Sequence, residues 1–224
     1  MIKENNSMLR LHLGCGQTYL KDYLNIDYPT SEHTVQTQSV ADQYEDITQL
    51  CFDRSTVAEV RLHHVFEHFR RPQIAGMVAC WNTWLNQSGR LHIEVPDLGR
   101  IARVFSNPFS SNRARAIAER HLFGSHEASW AAHYEGYDAR LLKNLLDIFG
   151  FSTEKIQRKS WRGTHNIHIY ALKVHEVQTI DEGLALGKRY LQQFLVDETP
   201  GELEMLRVWL KAYELQLHAG WAKG

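Results

Sequence analysis

Apolar and polar residues alternate along several short segments of the chain, as they do in strands that bury one face. This pattern predicts strands at residues 9–13, 23–27, 58–63 and 90–95, and a poorly marked one near 35–41. Two later segments, 154–159 and 166–174, are predicted to close the sheet as an antiparallel pair, because Ile167, Ile169 and Ala171 alternate with polar residues.

Apolar residues spaced three or four apart predict helices between these strands. The clearest helix covers residues 72–86, where Pro72 suits the first turn and Gly89 is expected to end the following turn. Further helices are predicted over 98–106, over 112–122 and from Asp138 to Gly150. Alternating strands and helices indicate an α/β fold: a Rossmann-like, doubly wound, mainly parallel sheet with a C-terminal antiparallel strand pair.

The last part of the chain predicts a helical hairpin appended to this core. Thr179 with Glu182, and Thr199 with Glu202, match the capping box, in which a glutamate follows the N-cap threonine by three residues. Apolar residues at helical spacing then run to Gly220: Leu203, Leu206, Leu210, Tyr213 and Leu217. We therefore predict a flexible N-terminus over 1–8, a core over 9–175 and a hairpin over 176–224. The hairpin either packs on its own domain or forms a homodimer surface.

A glycine turn follows the first strand and carries the first candidate chemistry. Gly14 and Gly16 would let backbone N–H groups approach a ligand, and Asp27, at the tip of the next strand, could bind ribose hydroxyls. Tyr19 stands where a dinucleotide fingerprint needs its third glycine. Asp27 follows Gly16 by only 11 residues, whereas that fingerprint expects its acid about 20 residues on. The pattern favours an adenosine-type cofactor other than a dinucleotide, with no room for a full first helix.

The order of motifs resembles that of the class I S-adenosylmethionine-dependent methyltransferases over residues 9–175. The resemblance rests on Leu-Gly14-Cys-Gly, Asn-Ile-Asp27, Asp46-Ile-Thr, the strand that runs into His64-Val-Phe-Glu-His, and the segment from Gly89 to Asp97. It is strongest to a short-helix group found with polysaccharide-biosynthesis enzymes. Two positions depart from the group's pattern: Ala58 replaces an acid and Cys51 replaces a proline.

The resemblance implies S-adenosylmethionine as cofactor and S-adenosylhomocysteine as product. It also implies a set of cofactor-binding residues: Gly14, Cys15 and Gly16 around the methionine part, Asp27 at the ribose, Asp46 and Ile47 at the adenine, and His64 beside the cofactor.

The acceptor is expected to bind near residues 121–137, where histidines, acids and aromatic residues cluster. We predict His126 or His133 as the general base, because imidazole titrates near neutral pH. Trp130 and Tyr134 would offer apolar faces to a small sugar-like or aromatic acceptor, methylated at oxygen. Each histidine could instead be a surface or capping residue. A non-catalytic binding domain with the same fold is the alternative function.

Two other features favour different chemistry. His64-Val-Phe-Glu67-His68 matches the H-x-x-E-H motif of zinc peptidases, which requires both histidines on one helix. No metal is assigned, although Glu67, His68 and Asp97 could gather around a divalent ion or steer the acceptor. Five arginines could form an anion site or lie on solvated helix faces: Arg100, Arg103, Arg113, Arg115 and Arg120.

Composition adds limits to these expectations. The 25 basic and 26 acidic residues nearly cancel, so no global field attracts nucleic acid or a membrane surface. Three widely spaced cysteines favour reduced thiols. The N-terminal segment lacks an apolar signal region. These observations predict a cytoplasmic protein that binds neither nucleic acid nor membranes.

Overall fold

Seven strands form one sheet in the computed structural model, which describes residues 8–29, 31 and 40–223. The strands are β1 (Leu9–Leu13), β2 (Leu24–Asp27), β3 (Gln43–Tyr44), β4 (Val57–His63), β5 (Leu85–Pro96), β6 (Phe151–Trp161) and β7 (Thr164–Lys173). Their order is β3-β2-β1-β4-β5-β7-β6. Strands β1 to β5 pair in parallel, and β7 is antiparallel to both β5 and β6. The predicted fold class is confirmed.

Six helices accompany the sheet in the described residues: α1 (Arg71–Trp84), α2 (Leu98–Ser106), α3 (Asn112–Phe123), α4 (Ala139–Ile148), α5 (Ile180–Gln192) and α6 (Pro200–Gly220). The prediction for α1 was wrong at its C-terminal end. Leu85 already pairs with Val57 in the sheet, so the helix ends at Trp84 and Gly89 lies within β5. Asp138 caps α4 as predicted, since its side chain accepts hydrogen bonds from the backbone of Arg140 and Leu141.

The connections between the first strands are short. Residues 14–23 contain turns and no helix, as the spacing between the glycines and Asp27 predicted. Most of the strand predicted near 35–41 lies outside the described residues, as do residues 1–7 of the predicted N-terminal segment. The strand that pairs with β2 is the two-residue β3.

The two faces of the sheet differ in polarity because side chains alternate along each strand. One face is apolar and belongs to the main core, with residues such as Leu11, Leu62, Ile93 and Ile169. The neighbouring residues of the same strands, on the opposite face, include His12, Arg61, His92 and His168. Parallel sheets usually bury two apolar faces, so this polar face is a distinct property of the chain.

A pH dependence of stability follows from His92 on that polar face. His92 stacks on Tyr170 with ring centroids 4.0 Å apart, and burial, with the nearby charge of Arg61, lowers the pKa of His92 to about 4. Below pH 6.5 the unfolded chain therefore binds a proton that folded His92 does not. We expect the free energy of unfolding to fall by about 1.4 kcal/mol per pH unit between pH 6.5 and 4, or about 3 kcal/mol in total, from this group.

Urea unfolding at several pH values between 6.5 and 4 gives the free energy of unfolding as a function of pH. The effect of His92 is the difference between the slopes of the wild type and of His92→Gln. The variant should lose stability less steeply toward pH 4. His218→Gln, which removes an exposed histidine, is the control and should keep the wild-type slope. Equal slopes in wild type and His92→Gln would contradict the assignment.

The C-terminal hairpin, α5 and α6, packs on α1. Almost every residue of α1 is buried, as expected of a helix that other elements cover on more than one side. Close contacts join the helices: a Cβ on Gly76 would lie 2.7 Å from the Gln216 side chain, and Trp84 Nε1 donates to the Gly220 carbonyl at 2.7 Å. Buried residues of the hairpin belong to the main core, including Tyr190, Leu206, Tyr213 and Leu217. The domain boundary near residue 176 and the homodimer stay predictions.

The two predicted capping boxes have different outcomes. The Thr179 hydroxyl accepts from the backbone N–H of Glu182 at 3.1 Å, as predicted for an N-cap. Thr199 is the N-cap residue of α6, as predicted, but its side chain makes no capping hydrogen bond, so the capping box predicted there was wrong. Glu202 instead accepts from the backbone of Val196 at 2.9 Å, which ties the loop between the helices to α6. No helix in the described ranges has the length and apolarity needed to cross a bilayer.

The hairpin's contribution to stability can be measured on α6. Leu217 is fully buried, whereas Leu215, two residues away, is 65% exposed. Leu217→Ala should lower the free energy of unfolding by about 2–5 kcal/mol, the range for buried leucines. Leu215→Ala is the matched control and should change it by less than about 1 kcal/mol. Equal losses in chemical denaturation would show that α6 is not a core helix.

Candidate functional site

A cleft of about 1350 Å³ opens at the carboxyl ends of β1, β2 and β4. It is lined by residues that directly follow or end these strands: Gly14, Gly16, Asp27 and His64. Open α/β sheets bind ligands at this edge. The cleft exceeds the roughly 300–1000 Å³ typical of a pocket for one small molecule, so it has room for more than one.

Backbone geometry explains the two glycines of the turn. Gly14 and Gly16 have φ values of +67° and +56°, which side chains disfavour. A Cβ on Gly14 would lie 2.2 Å from Cγ2 of Val65, which follows β4. The glycine turn therefore packs directly against the residue that follows His64.

Asp27 joins the glycine turn to the end of β2. Asp27 is 6% exposed, and its Oδ2 accepts the backbone N–H of Gly16 at 2.9 Å. Its Oδ1 accepts the N–H of Tyr28 at 2.8 Å. These backbone bonds orient the Asp27 carboxylate at the cleft floor.

Cys15, between the glycines, differs from its neighbours. Its side chain is buried, and this burial, together with the charge of Asp27, raises the pKa of the thiol to about 12. Gly14 and Gly16 line the cleft and Cys15 does not. The structure therefore turns the thiol of this predicted cofactor-binding residue into the protein interior.

Asp46 and Ile47 line the cleft beyond β3, and their contact with an adenine stays a prediction. The Asp46 carboxylate accepts from the backbone and the hydroxyl of Thr48, at 2.9 and 2.7 Å, and so shapes its own turn. Gln216 of α6 donates to the Thr48 carbonyl at 2.7 Å. Helix α6 thus fixes this loop and supplies cleft residues that the sequence analysis missed, such as Trp209 and Ala219.

His64 stands at the end of β4 in a network of polar side chains. Its Nδ1 is 3.1 Å from Glu67 Oε1, and Asn166 donates to its Nε2 at 2.8 Å. The same amide donates to Glu94 and bonds His121 through its oxygen. Burial alone would lower the pKa of His64, but the hydrogen bond and charge of Glu67, with Glu94, raise it above its ordinary value.

Glu67 is the centre of a second group with His68 and His133. Glu67 is 1% exposed, and its Oε1 lies 3.9 Å from Nε2 of His133. The rings of His68 and His133 meet edge to face with centroids 4.6 Å apart. Burial alone would raise the pKa of Glu67, but the hydrogen bond and charge of His64, with the charges of His68 and His133, lower it below its ordinary value.

The predicted acceptor residues do not all face the cleft. Trp130 and Tyr134 line it. Neither His126 nor His133 is a lining residue: His133 is near Glu67, as described above, and His126 is exposed, with its Nε2 2.9 Å from the Phe123 carbonyl. The choice of either histidine as a base stays a prediction.

Other sequence features take structural roles. Asp97 caps α2 and pairs with Arg158 at 3.1 Å, and the residue grouped with Glu67 and His68 is His133. None of the five candidate anion-binding arginines lines the cleft, and Arg115 donates to the carbonyls of Phe105 and Asn107. The peptidase interpretation lacks its helix, because His64 ends a strand and residues 66–68 form one 3-10 turn.

No protein-family model and no curated protein matches the chain. Solved structures do match. A SAM-dependent methyltransferase from Methanosarcina mazei is 16% identical, with a TM-score of 0.51 over 76% of this chain and 94% of that one. One from Archaeoglobus fulgidus is 14% identical, with a TM-score of 0.52 over 75% and 87% of the two chains.

A third match has a bound ligand. The 1,6-didemethyltoxoflavin-N1-methyltransferase of Burkholderia thailandensis, solved with 1,6-didemethyltoxoflavin and S-adenosylhomocysteine, is 14% identical. Its TM-score is 0.50 over 75% of this chain and 72% of that one. At these identities the likeness shows the fold alone. The chain has the fold of the class I methyltransferases.

Proposed function

We propose that this protein is an S-adenosylmethionine-dependent methyltransferase acting on a small acceptor. The observation that carries the proposal is Asp27: a buried carboxylate at the tip of β2, bonded to the glycine turn at the floor of the cleft. An acid in this position suits the two hydroxyls of a ribose. The shared fold of solved methyltransferases supports the same function.

The proposed cofactor lies along the carboxyl edge of the sheet. The backbone around Gly14 and Gly16 would hold the methionine part, and Asp27 the ribose. Ile47 would offer an apolar face to the adenine, while Asp46 keeps the surrounding turn in place through Thr48. His64 would border the cofactor at the end of β4. The Cys15 thiol would not contact it.

The rest of the cleft would hold the acceptor. Trp130 and Tyr134 line this part, and Arg70 lies 5.2 Å from the Tyr134 ring centre. Aromatic faces beside cationic groups suit a sugar-like or aromatic molecule with oxygen substituents. We propose transfer to oxygen, on the side of the cleft lined by His68, next to Glu67 and His133. An acceptor in line with the sulfonium methyl would gain much of its rate from positioning.

The experiment uses S-adenosylmethionine with a radiolabelled methyl group and a panel of sugars, nucleotide sugars, phenols and amines. Labelled product together with S-adenosylhomocysteine is the expected result. Binding of the cofactor without turnover on any acceptor favours the alternative, a non-catalytic binding domain. Binding of neither cofactor form contradicts the proposal.

A further inference from the structure

Three potential ligand side chains converge at the cleft wall: Glu67, His68 and His133. One ligand atom from each lies within 4.8 Å of the others, and His68 lines the cleft. We propose that these three side chains bind a divalent transition-metal ion, and that Zn²⁺ is the ion their donors suit best. Two imidazoles and one carboxylate are a common protein ligand set of zinc sites that keep an open position.

Glu67 provides the observation that points to a cation. Its Oε2 is fully buried and has no hydrogen-bond partner among the described residues. A buried carboxylate oxygen without a partner is costly. Its other oxygen is oriented by His64 Nδ1 at 3.1 Å. A metal ion bound by both carboxylate oxygens would lie beside Oε1, the oxygen 3.9 Å from His133 Nε2, and would give Oε2 its missing partner. His64 would then act as the outer partner that ligating carboxylates usually have.

The hydrogen bonds and contacts of the two histidines are compatible with metal binding. His68 Nδ1 lies 3.2 Å from the Ala132 carbonyl, so this nitrogen donates its hydrogen and Nε2 carries the lone pair. Metal-binding histidines commonly donate their other N–H to a backbone carbonyl in this way. His133 turns its Nε2 toward Glu67, 3.9 Å from Oε1.

The backbone around the three residues is tied together. The N–H of Tyr134 donates to the Glu67 carbonyl at 2.9 Å, and that of His133 to the Phe123 carbonyl at 3.0 Å. Gly124 pairs with Ala132, and a Cβ on Gly124 would lie 2.0 Å from the Ala131 carbonyl oxygen. Ligand atoms of a tetrahedral zinc site lie about 3.3 Å apart, so small side-chain rotations would close the site.

A second group, His63, His64 and Glu94, has comparable spacing but no unsatisfied ligand. Glu94 Oε1 accepts from Asn166 at 2.8 Å, and its Oε2 lies 3.1 Å from His63. Both ring nitrogens of His64 have partners. These side chains satisfy one another without an ion, so the observations favour the Glu67 group.

Three protein ligands would leave a fourth position open, and His68, which lines the cleft, would connect the ion to it. The role of this position in methyl transfer rests on the proposed function. A hydroxyl of the acceptor bound there would become more acidic and would release its proton to water in the cleft. Its oxygen would then form the new bond to the methyl carbon as the carbon–sulfur bond breaks and the thioether leaves. In this mechanism His133 is a metal ligand and not the general base.

The test measures zinc binding by the full-length protein after removal of metals with a chelator, without any S-adenosylmethionine. Competition with a chromophoric zinc indicator should give one Zn²⁺ per chain. Glu67→Gln and His133→Ala should each weaken it by about 100-fold or more, beyond the effect usual for outer-shell residues. His126→Ala, in the same segment but outside the cleft lining, and His63→Ala, in the second group, should keep wild-type affinity.

A second measurement separates loss of ligands from loss of folding. Co²⁺ should give the visible absorption of a tetrahedral site with nitrogen and oxygen ligands in the wild type and in His126→Ala. Circular dichroism should show that the Glu67→Gln and His133→Ala variants remain folded. Equal zinc affinity in wild type and both ligand variants, or loss only in His63→Ala, would overturn the proposal. The zinc measurement contains no cofactor, so its result is independent of the proposed function. If the protein bound S-adenosylhomocysteine but no zinc, this inference would be refuted and the proposed function would stand.

Discussion

Asp27→Ala is expected to weaken S-adenosylhomocysteine binding by about 10²- to 10⁴-fold. Two ribose hydroxyls would donate to the Asp27 carboxylate, and hydrogen bonds to a charged group contribute about 1.5–3 kcal/mol each. The variant also loses the bond from the Gly16 backbone, which holds the glycine turn to β2. Asp27→Asn keeps the size of the side chain and one acceptor oxygen, so its loss should be smaller. Isothermal titration calorimetry measures all three proteins.

A matched control separates this effect from a change in net charge. Asp53 is an exposed aspartate outside the cleft lining, and Asp53→Ala should bind S-adenosylhomocysteine like the wild type. Equal affinities of Asp27→Ala and Asp53→Ala, with both variants folded, would show that Asp27 does not hold the ribose.

Gly14→Ala is expected to lower the free energy of unfolding by about 2–5 kcal/mol. The new Cβ would lie 2.2 Å from Val65 Cγ2, and overpacking of this kind costs about 1–3 kcal/mol. The φ of +67° adds about 1–2 kcal/mol for a residue with a side chain. Because Val65 follows His64, relief of the clash would also displace the end of β4 and weaken cofactor binding.

The matched control is Gly201→Ala, at the start of α6. A Cβ there meets nothing within 4 Å, and alanine is the better helix former by about 1 kcal/mol. Urea denaturation should show Gly201→Ala at least as stable as the wild type and Gly14→Ala clearly less stable. If the two variants had the same stability, the close packing of the glycine turn on Val65 would be contradicted.

Most of the fold could be predicted from local sequence patterns. The strands alternate clearly because one face of the sheet is apolar and the other polar, so β1, β4 and β7 were predictable. Capping by Asp138 depends on neighbouring residues and was also predictable. The end of α1 was not, because Leu85 leaves helical geometry to pair with Val57, a contact between distant segments. The role of Glu202 was not predictable either, because its side chain accepts a hydrogen bond from the backbone of Val196 in the preceding loop.

The residues at the floor of the candidate site could be predicted from the sequence, whereas those of its walls could not. Asp27 ends a predicted strand, and Gly14 and His64 each follow one, so the topology places all three at one edge of the sheet. The role of α6 depends on a long-range contact between Gln216 and Thr48, which no local pattern encodes. The meeting of His133 with Glu67 depends in the same way on how residues 124–134 fold back over the turn that follows β4.

A crystal structure of the protein with S-adenosylhomocysteine at a saturating concentration would show which residues hold the cofactor. We expect the ribose hydroxyls within hydrogen-bond distance of the Asp27 carboxylate and the adenine against Ile47. We also expect the sulfur to face the side of the cleft lined by His68. A ligand bound elsewhere, or a cleft that stays empty at saturation, would contradict the assignment of this cleft as the cofactor site.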